Sequence, residues 1–300
     1  MQPLPHVLFF VISSAILSLK LSKAICGQPH VKPLLSPAKG ASNRISYGFE
    51  ARPHSHPWQV LLFVTMNGET RKCGASLIQW KDSNASDLVL TASHCVVDVE
   101  KMGSGPVVSA EKIHAYVGVH DITEIDPMVN KLTVVAVAAG TLQDVSHMED
   151  VAILKLERKI NFDHNIQGIC LPSASEKLPP EGSRCFVTGW GILETGDTAT
   201  RLQQIEVFIH EGRIKHVAYN KKRMLCALKN DNEGPAEGDS GGPLACFKNG
   251  TFVLYGIVSI EFSMPCNHEI EHYVAFTKVS KHLSWVTEKI AQFEIALMKH

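Results

Sequence analysis

Between Val7 and Leu19 apolar side chains follow one another almost without interruption, and no later run of the chain is long and apolar enough to span a bilayer. A membrane-crossing helix needs roughly 20 such residues, so this run is too short to be one. With the small residues Ser22 and Ala24 behind it, it predicts a secretory signal over residues 1–24, cut after Ala24. Its flanks are atypical, with no Lys or Arg ahead of it and Lys20 and Lys23 behind, and a buried N-terminal helix is the alternative. Residues 25–44 change character: Gly27, Pro29, Pro33, Pro37 and Gly40 predict an extended linker, which carries one cysteine, Cys26. Beyond it come short apolar runs broken by turn residues. Trp58–Val64, Leu88–Thr91, Lys131–Val137, Val151–Leu156, Cys185–Thr188, Leu202–Ile209 and Thr251–Ile260 are predicted strands. Only the C-terminus has helical spacing, with Leu283, Val286, Ile290 and Phe293 on one face and Ser280 as candidate N-cap. Many short strands with regular turns predict an all-β sandwich or barrel.

Composition narrows the classes. Apolar residues make up 45% of the 300, enough for a full core and too many for a disordered chain. Lys and Arg (29) nearly balance Asp and Glu (30), so no charge excess points to nucleic acid or an anionic membrane as partner. The 8 cysteines include no tight CxxC pair, which argues against a zinc ribbon or thioredoxin-type motif. A secreted chain meets an oxidising environment, and disulfides become the default expectation.

Three short motifs carry chemistry: Thr91-Ala92-Ser93-His94-Cys95, Asp150 opening the run Val151–Leu156, and Gly238-Asp239-Ser240-Gly241-Gly242-Pro243-Leu244. Alone, the first fits a structural histidine, the second a turn residue, the third a glycine-rich turn. Together they place His, Asp and Ser in one chain. A serine hydroxyl is a poor nucleophile at neutral pH and needs an adjacent base, for which imidazole has the suitable pKa. The imidazole needs a carboxylate to fix its tautomer, and the developing oxyanion needs N–H donors of the kind a glycine-flanked turn presents.

With these motifs, Cys73-Gly74-Ala75-Ser76-Leu77-Ile78 and Cys185–Gly191, the region from Ile45 to His300 resembles a trypsin-like (chymotrypsin-fold) serine peptidase. The resemblance implies two six-stranded antiparallel β-barrels with a C-terminal α-helix and an active site between the barrels. It implies His94 as base, Asp150 as its orienter, Ser240 as nucleophile, Gly238 and Ser240 as oxyanion-hole donors, and Ser259 as a hydrogen-bond partner of the aspartate. Arg44-Ile45-Ser46-Tyr47-Gly48 resembles the family's activation junction. Cleavage after Arg44 would free the Ile45 α-amine to pair with Asp239, whose buried charge is costly alone. Residues 25–44 would then be a propeptide and 45–300 the peptidase domain. The family pattern pairs Cys73 with Cys95, Cys185 with Cys246, and Cys26 with Cys170 as a propeptide tether. Cys226 and Cys266 lack their usual partners and are left to bond each other or stay thiols.

The chain also departs from the pattern. The substrate-binding segment reads Ser259-Ile260-Glu261, and the loop Phe262–Cys266 is longer than usual. Gly234 stands at the floor of the specificity pocket, where an Asp would draw Arg or Lys, and Val274 stands at a wall position usually held by glycine. A side chain entering this narrowed apolar pocket is expected to be small or medium aliphatic, unless Glu261 turns inward and attracts a basic one. The family's calcium loop has Val119 and Val129 at its main ligand positions, so no metal or other cofactor is expected, and Asp121, Glu124 and Asp126 are expected to face solvent. Asn84-Ala85-Ser86 and Asn249-Gly250-Thr251 are N-glycosylation sequons. The expected activity is a secreted serine endopeptidase made as a zymogen. Its expected partners are protein or peptide substrates, an activating trypsin-like protease and protein protease inhibitors. The remodelled pocket and the two missing bridges support a second reading, a catalytically silent homologue acting as a binding or decoy protein.

Overall fold

The computed structural model describes residues 26–35, 48–81, 83–98, 105–126, 128, 130–142, 149–176, 178–179, 183–210, 222–228, 235–266 and 269–298. The signal segment, the Arg44–Ile45 junction, Gly234 and Val129 lie outside the described residues.

A short first strand, β1 (Phe49–Glu50), leads into β2 (Gln59–Met66), β3 (Glu69–Leu77), β4 (Ala85–Thr91), β5 (Ile113–Val117), β6 (Lys131–Ala139) and β7 (Ala152–Asn161). Strands β2 to β7 close into a barrel in the order β2-β3-β4-β7-β6-β5. Alternation along β2 explains the barrel wall: Val60, Leu62 and Val64 join the large core, while Leu61, on the other face, packs with Trp190 and Leu202 from the second half of the chain. Both faces of β2 are buried, which is why Trp58–Val64 reads as a continuous apolar run rather than an alternating one.

The second half supplies β8 (Arg184–Gly189), β9 (Gln203–His210), β10 (Met224–Leu228), β11 (Pro243–Lys248), β12 (Thr251–Cys266) and β13 (Glu269–Lys278). They pair in the order β9-β10-β13-β12-β11-β8, and β8 pairs back onto β9, so these six strands also close on themselves, with β1 attached to the start of β9. Asn249 and Gly250, at φ 49° and 88°, make the two-residue turn between β11 and β12, a conformation that suits the twist of a hairpin.

Two sequence expectations are corrected here. The long loop at Phe262–Cys266 is strand: β12 continues to Cys266, opposite Glu269, so the extra residues lengthen a hairpin. The C-terminal helix α1 (Val279–Leu297) has Lys278 at its N-cap without a side-chain cap bond, and Ser280 lies inside its first turn. Its apolar face is the expected one: Val286, Ile290 and Phe293 are buried in the large core with first-barrel residues. A helix that follows the second barrel thus returns to seal the first.

Residues 26–35 run along the body. The Gly27 N–H bonds the Gly168 carbonyl (3.0 Å), the Gly27 carbonyl accepts from the Phe252 N–H (2.7 Å), and Gln204 Nε2 donates to the Leu34 carbonyl (2.7 Å). Gly27 has φ 63° and a side chain there would collide with the Phe252 backbone, so glycine is required at this crossing.

Candidate active site

Strand β4 ends in a tight turn, Ser93–Cys95, that projects His94 from the first barrel. The turn is fixed three ways: Ser93 Oγ donates to the Gly140 carbonyl (2.8 Å), Cys95 is disulfide-bonded to Cys73, and the His94 N–H donates to Asp150 Oδ1 (3.0 Å). Asp150, 1% exposed, sits at the mouth of β7. Its other oxygen, Oδ2, lies 2.8 Å from His94 Nδ1 and accepts a 2.5 Å bond from Ser259 Oγ. Thr277 Oγ1 donates to the Asp150 carbonyl (2.8 Å). An ionised carboxylate only accepts, so Nδ1 carries a proton and Nε2 is left as the basic nitrogen.

The electrostatics follow from this packing. Burial opposes charge on both groups, but their mutual attraction and hydrogen bonds win. His94 is held above its ordinary pKa, and Asp150, also helped by Ser259, below its own.

Ser240 comes from the second half, on the turn before β11. Gly238 (φ 96°) and Gly241 (φ 79°) give this turn its left-handed backbone, and a side chain on Gly241 would stand 2.6 Å from the Gly74 carbonyl. The Gly74 N–H donates to the Ser240 carbonyl (2.8 Å) and the Gly241 N–H to the Val258 carbonyl (2.9 Å), pinning the turn to both halves. His94, Gly238 and Ser240 line one cleft between the halves, together with Arg71, Lys72, Ile192 and Glu237. Behind it, Asp239 is 8% exposed. Its oxygens accept from the N–H groups of Gly191 (2.7 Å) and Ala236 (2.9 Å). Burial raises its pKa above the ordinary carboxylate value, against these donors and the charge of Lys72. The carboxylate faces a second, smaller cleft, lined also by Thr188, Leu193 and Ile205.

An imidazole held by a buried carboxylate and a serine in the same cleft, set between two β-barrels, are the groups that serine hydrolases use. Sequence comparison narrows the class: the Trypsin family model matches residues 45–286. Chymotrypsin-C from Bos taurus and from Rattus norvegicus are each 32% identical over 278 residues, covering 88% of this chain and 93% of the relative. The chain belongs to the trypsin family and is a serine endopeptidase, a hydrolase of protein or peptide substrates.

Disulfides join Cys26 to Cys170, Cys73 to Cys95 and Cys185 to Cys246. A Cys226–Cys266 bridge is ruled out by register: Cys226 lies opposite Ala275 of β13, and Cys266 opposite Glu269. Six strand positions are about 20 Å, against a limit near 7 Å between bridged Cα atoms. Ile260 and Glu261 lie in β12 opposite Ala275 and Val274. Val274 is 1% exposed and packs in the second-barrel cluster with Val258 and Phe276. Asn84 and Asn249 are exposed. Asp121 does not simply face solvent, since Arg201 Nε donates to it at 3.1 Å. Among the described residues no group of three or more His, Cys, Asp or Glu is placed to hold a metal ion, and no helix is long and apolar enough to cross a membrane.

Sequence reasoning missed Thr277 and Lys72. Thr277 carries no signal of its own within an apolar strand. Lys72 had one: it precedes Cys73, whose disulfide partner adjoins His94, so its side chain starts beside the site.

Proposed function

We propose that the chain is a secreted zymogen whose peptidase activity runs on His94, Asp150 and Ser240. The observation that carries the reading is the Asp150 carboxylate, bound at once by the His94 ring and by Ser259, in a chain whose His94 and Ser240 share one cleft. His94 Nε2 takes the Ser240 proton as Oγ attacks the scissile carbonyl. The tetrahedral oxyanion is met by the N–H groups of Gly238 and Ser240, where preorganised donors stabilise developing charge. His94 then protonates the leaving amine, and a water deprotonated by the same nitrogen releases the acyl group.

Cleavage after Arg44 would free the Ile45 ammonium. Asp239 lines a small cleft, and its charge complements that of the ammonium, which supports Asp239 as its partner. The apolar start of the chain and three disulfides support secretion, and exposed Asn84 and Asn249 suit glycan attachment. For specificity, the absence of a charge at Gly234 supports a preference for small or medium aliphatic residues before the scissile bond, while Val274, buried in the second-barrel core, adds no support of its own. Fluorophosphonate labelling after cleavage at Arg44 tests the reading. Ser240 should be labelled, Ser240→Ala should not, and the active form should begin Ile-Ser-Tyr-Gly. An unlabelled cut chain would leave a silent homologue, and a peptide library showing an Arg/Lys preference that vanishes in Glu261→Gln would overturn the aliphatic pocket.

A further inference from the structure

Asp239 poses a charge problem. Its carboxylate is buried beside the nucleophile, and a buried charge persists only where partners compensate for it. One cationic side chain reaches it indirectly. Lys72, half-buried on β3, donates from Nζ to the Trp190 carbonyl. The N–H of the same peptide group, on Gly191, donates to Asp239 Oδ1 at 2.7 Å. A cation on the peptide oxygen and an anion on its N–H polarise that group in the same sense, so each bond strengthens the other. The Lys72 stem also covers the oxyanion turn: a Cβ on Gly238 would stand 2.9 Å from Lys72 Cε. One lysine of the first barrel therefore touches two points of the loop framework that positions Ser240.

We propose that Lys72 is a positioning residue which, through the Trp190–Gly191 peptide, balances the Asp239 carboxylate and holds the Gly238–Ser240 turn in place before the chain is cut. This deepens the zymogen reading and rests on it. The uncut chain keeps a measurable part of its reactivity, and the Ile45 ammonium takes over the balancing when it arrives.

The test uses the full chain in two forms, wild type cut after Arg44 and Arg44→Gln left uncut, each with Lys72, Lys72→Met or Lys72→Gln. The readout is the rate constant for fluorophosphonate labelling of Ser240, a small probe that needs no extended substrate contact. In the uncut form Lys72→Met should slow labelling by at least about 10-fold, the scale of one charge-assisted hydrogen bond. In the cut form the loss should be under about 3-fold, because the new ammonium compensates for the missing charge. Lys72→Gln, which can still donate to the Trp190 carbonyl, should recover part of the uncut rate. Equal slowing in both forms would mean that Lys72 acts on the fold or the probe, and would overturn the proposal. So would an uncut chain indifferent to Lys72, or one that does not label at all while the cut chain does. A cut wild-type chain that fails to label would instead sink the zymogen reading beneath it.

Discussion

In the proposed mechanism His94 acts as a base only when neutral, and Asp150 holds its pKa above the ordinary 6.5 despite burial. The rate kcat/KM should therefore fall as pH drops through a midpoint above 6.5, as a pH–rate profile will measure. Asp150→Asn should move that midpoint down and cut turnover by about 10⁴-fold, since the imidazole then settles in the wrong tautomer. A second histidine gives a stability prediction. His56 is fully buried against Trp58 and Phe186, with Nε2 3.2 Å from Gln204 Oε1, and burial lowers its pKa to about 4. Above the unfolded value of 6.5 it is neutral in both states. As pH falls from 6.5 towards 4, the unfolded chain binds a proton that the folded one refuses, so stability is lost across that window. The loss is at most about 3 kcal/mol from this group. Urea titrations at pH 7 and 4.5 should show His56→Leu keeping more of its neutral-pH stability than wild type. At this scale the candidates His94, Asp150 and Ser240 were legible because each stands in a distinctive local motif. Thr277 was not, and Lys72 only as a neighbour of the site through Cys73, because the roles of both depend on which chain segment lies opposite.

Among the elements, α1 was legible and its docking was not. Helical spacing identifies the face of Val286, Ile290 and Phe293, but only the structure brings that face to the first barrel. Ile290, 3% exposed, should cost about 2–4 kcal/mol when cut to Ala. Ile295, 56% exposed on the same helix, should change stability by less than about 0.5 kcal/mol. Chemical denaturation of the two variants checks the contrast. Strands whose patterns are weak escaped the sequence: β3 begins with exposed Glu69, Thr70 and Arg71 and continues with small buried residues such as Gly74 and Ala75. The continuation of β12 to Cys266 escaped for a related reason, since Pro265 and the polar start of β13 read as loop. Backbone pairing across the hairpin, which no local pattern encodes, makes these residues strand.

On the scale of the whole molecule, the site exists because two closed barrels face each other. His94 and Asp150 come from one, Ser240 and Ser259 from the other, and the Ser259 and Thr277 bonds to Asp150 lock the two together. The N-terminal segment is tied to this body by Cys26–Cys170 and by the backbone bonds of Gly27. After cleavage at Arg44 the protein should therefore run as one band without reductant and two with it. Cys26→Ser should release the N-terminal segment under denaturing conditions with no reductant.

The sequence by itself determined the chemistry and the class: strand-forming runs, a glycine-flanked serine, a histidine next to a cysteine, and an aspartate opening a buried strand are local facts, carried by neighbouring residues. Tertiary structure alone decided what crosses the chain. It separated Cys226 from Cys266 by a strand register, packed Val274 into the second barrel and laid α1 against the first. It also set Lys72 over the turn that carries Ser240. Each of these is a pairing between residues far apart in sequence, chosen by barrel closure and by the need to satisfy buried charge and backbone, and no short window of the chain records such a choice.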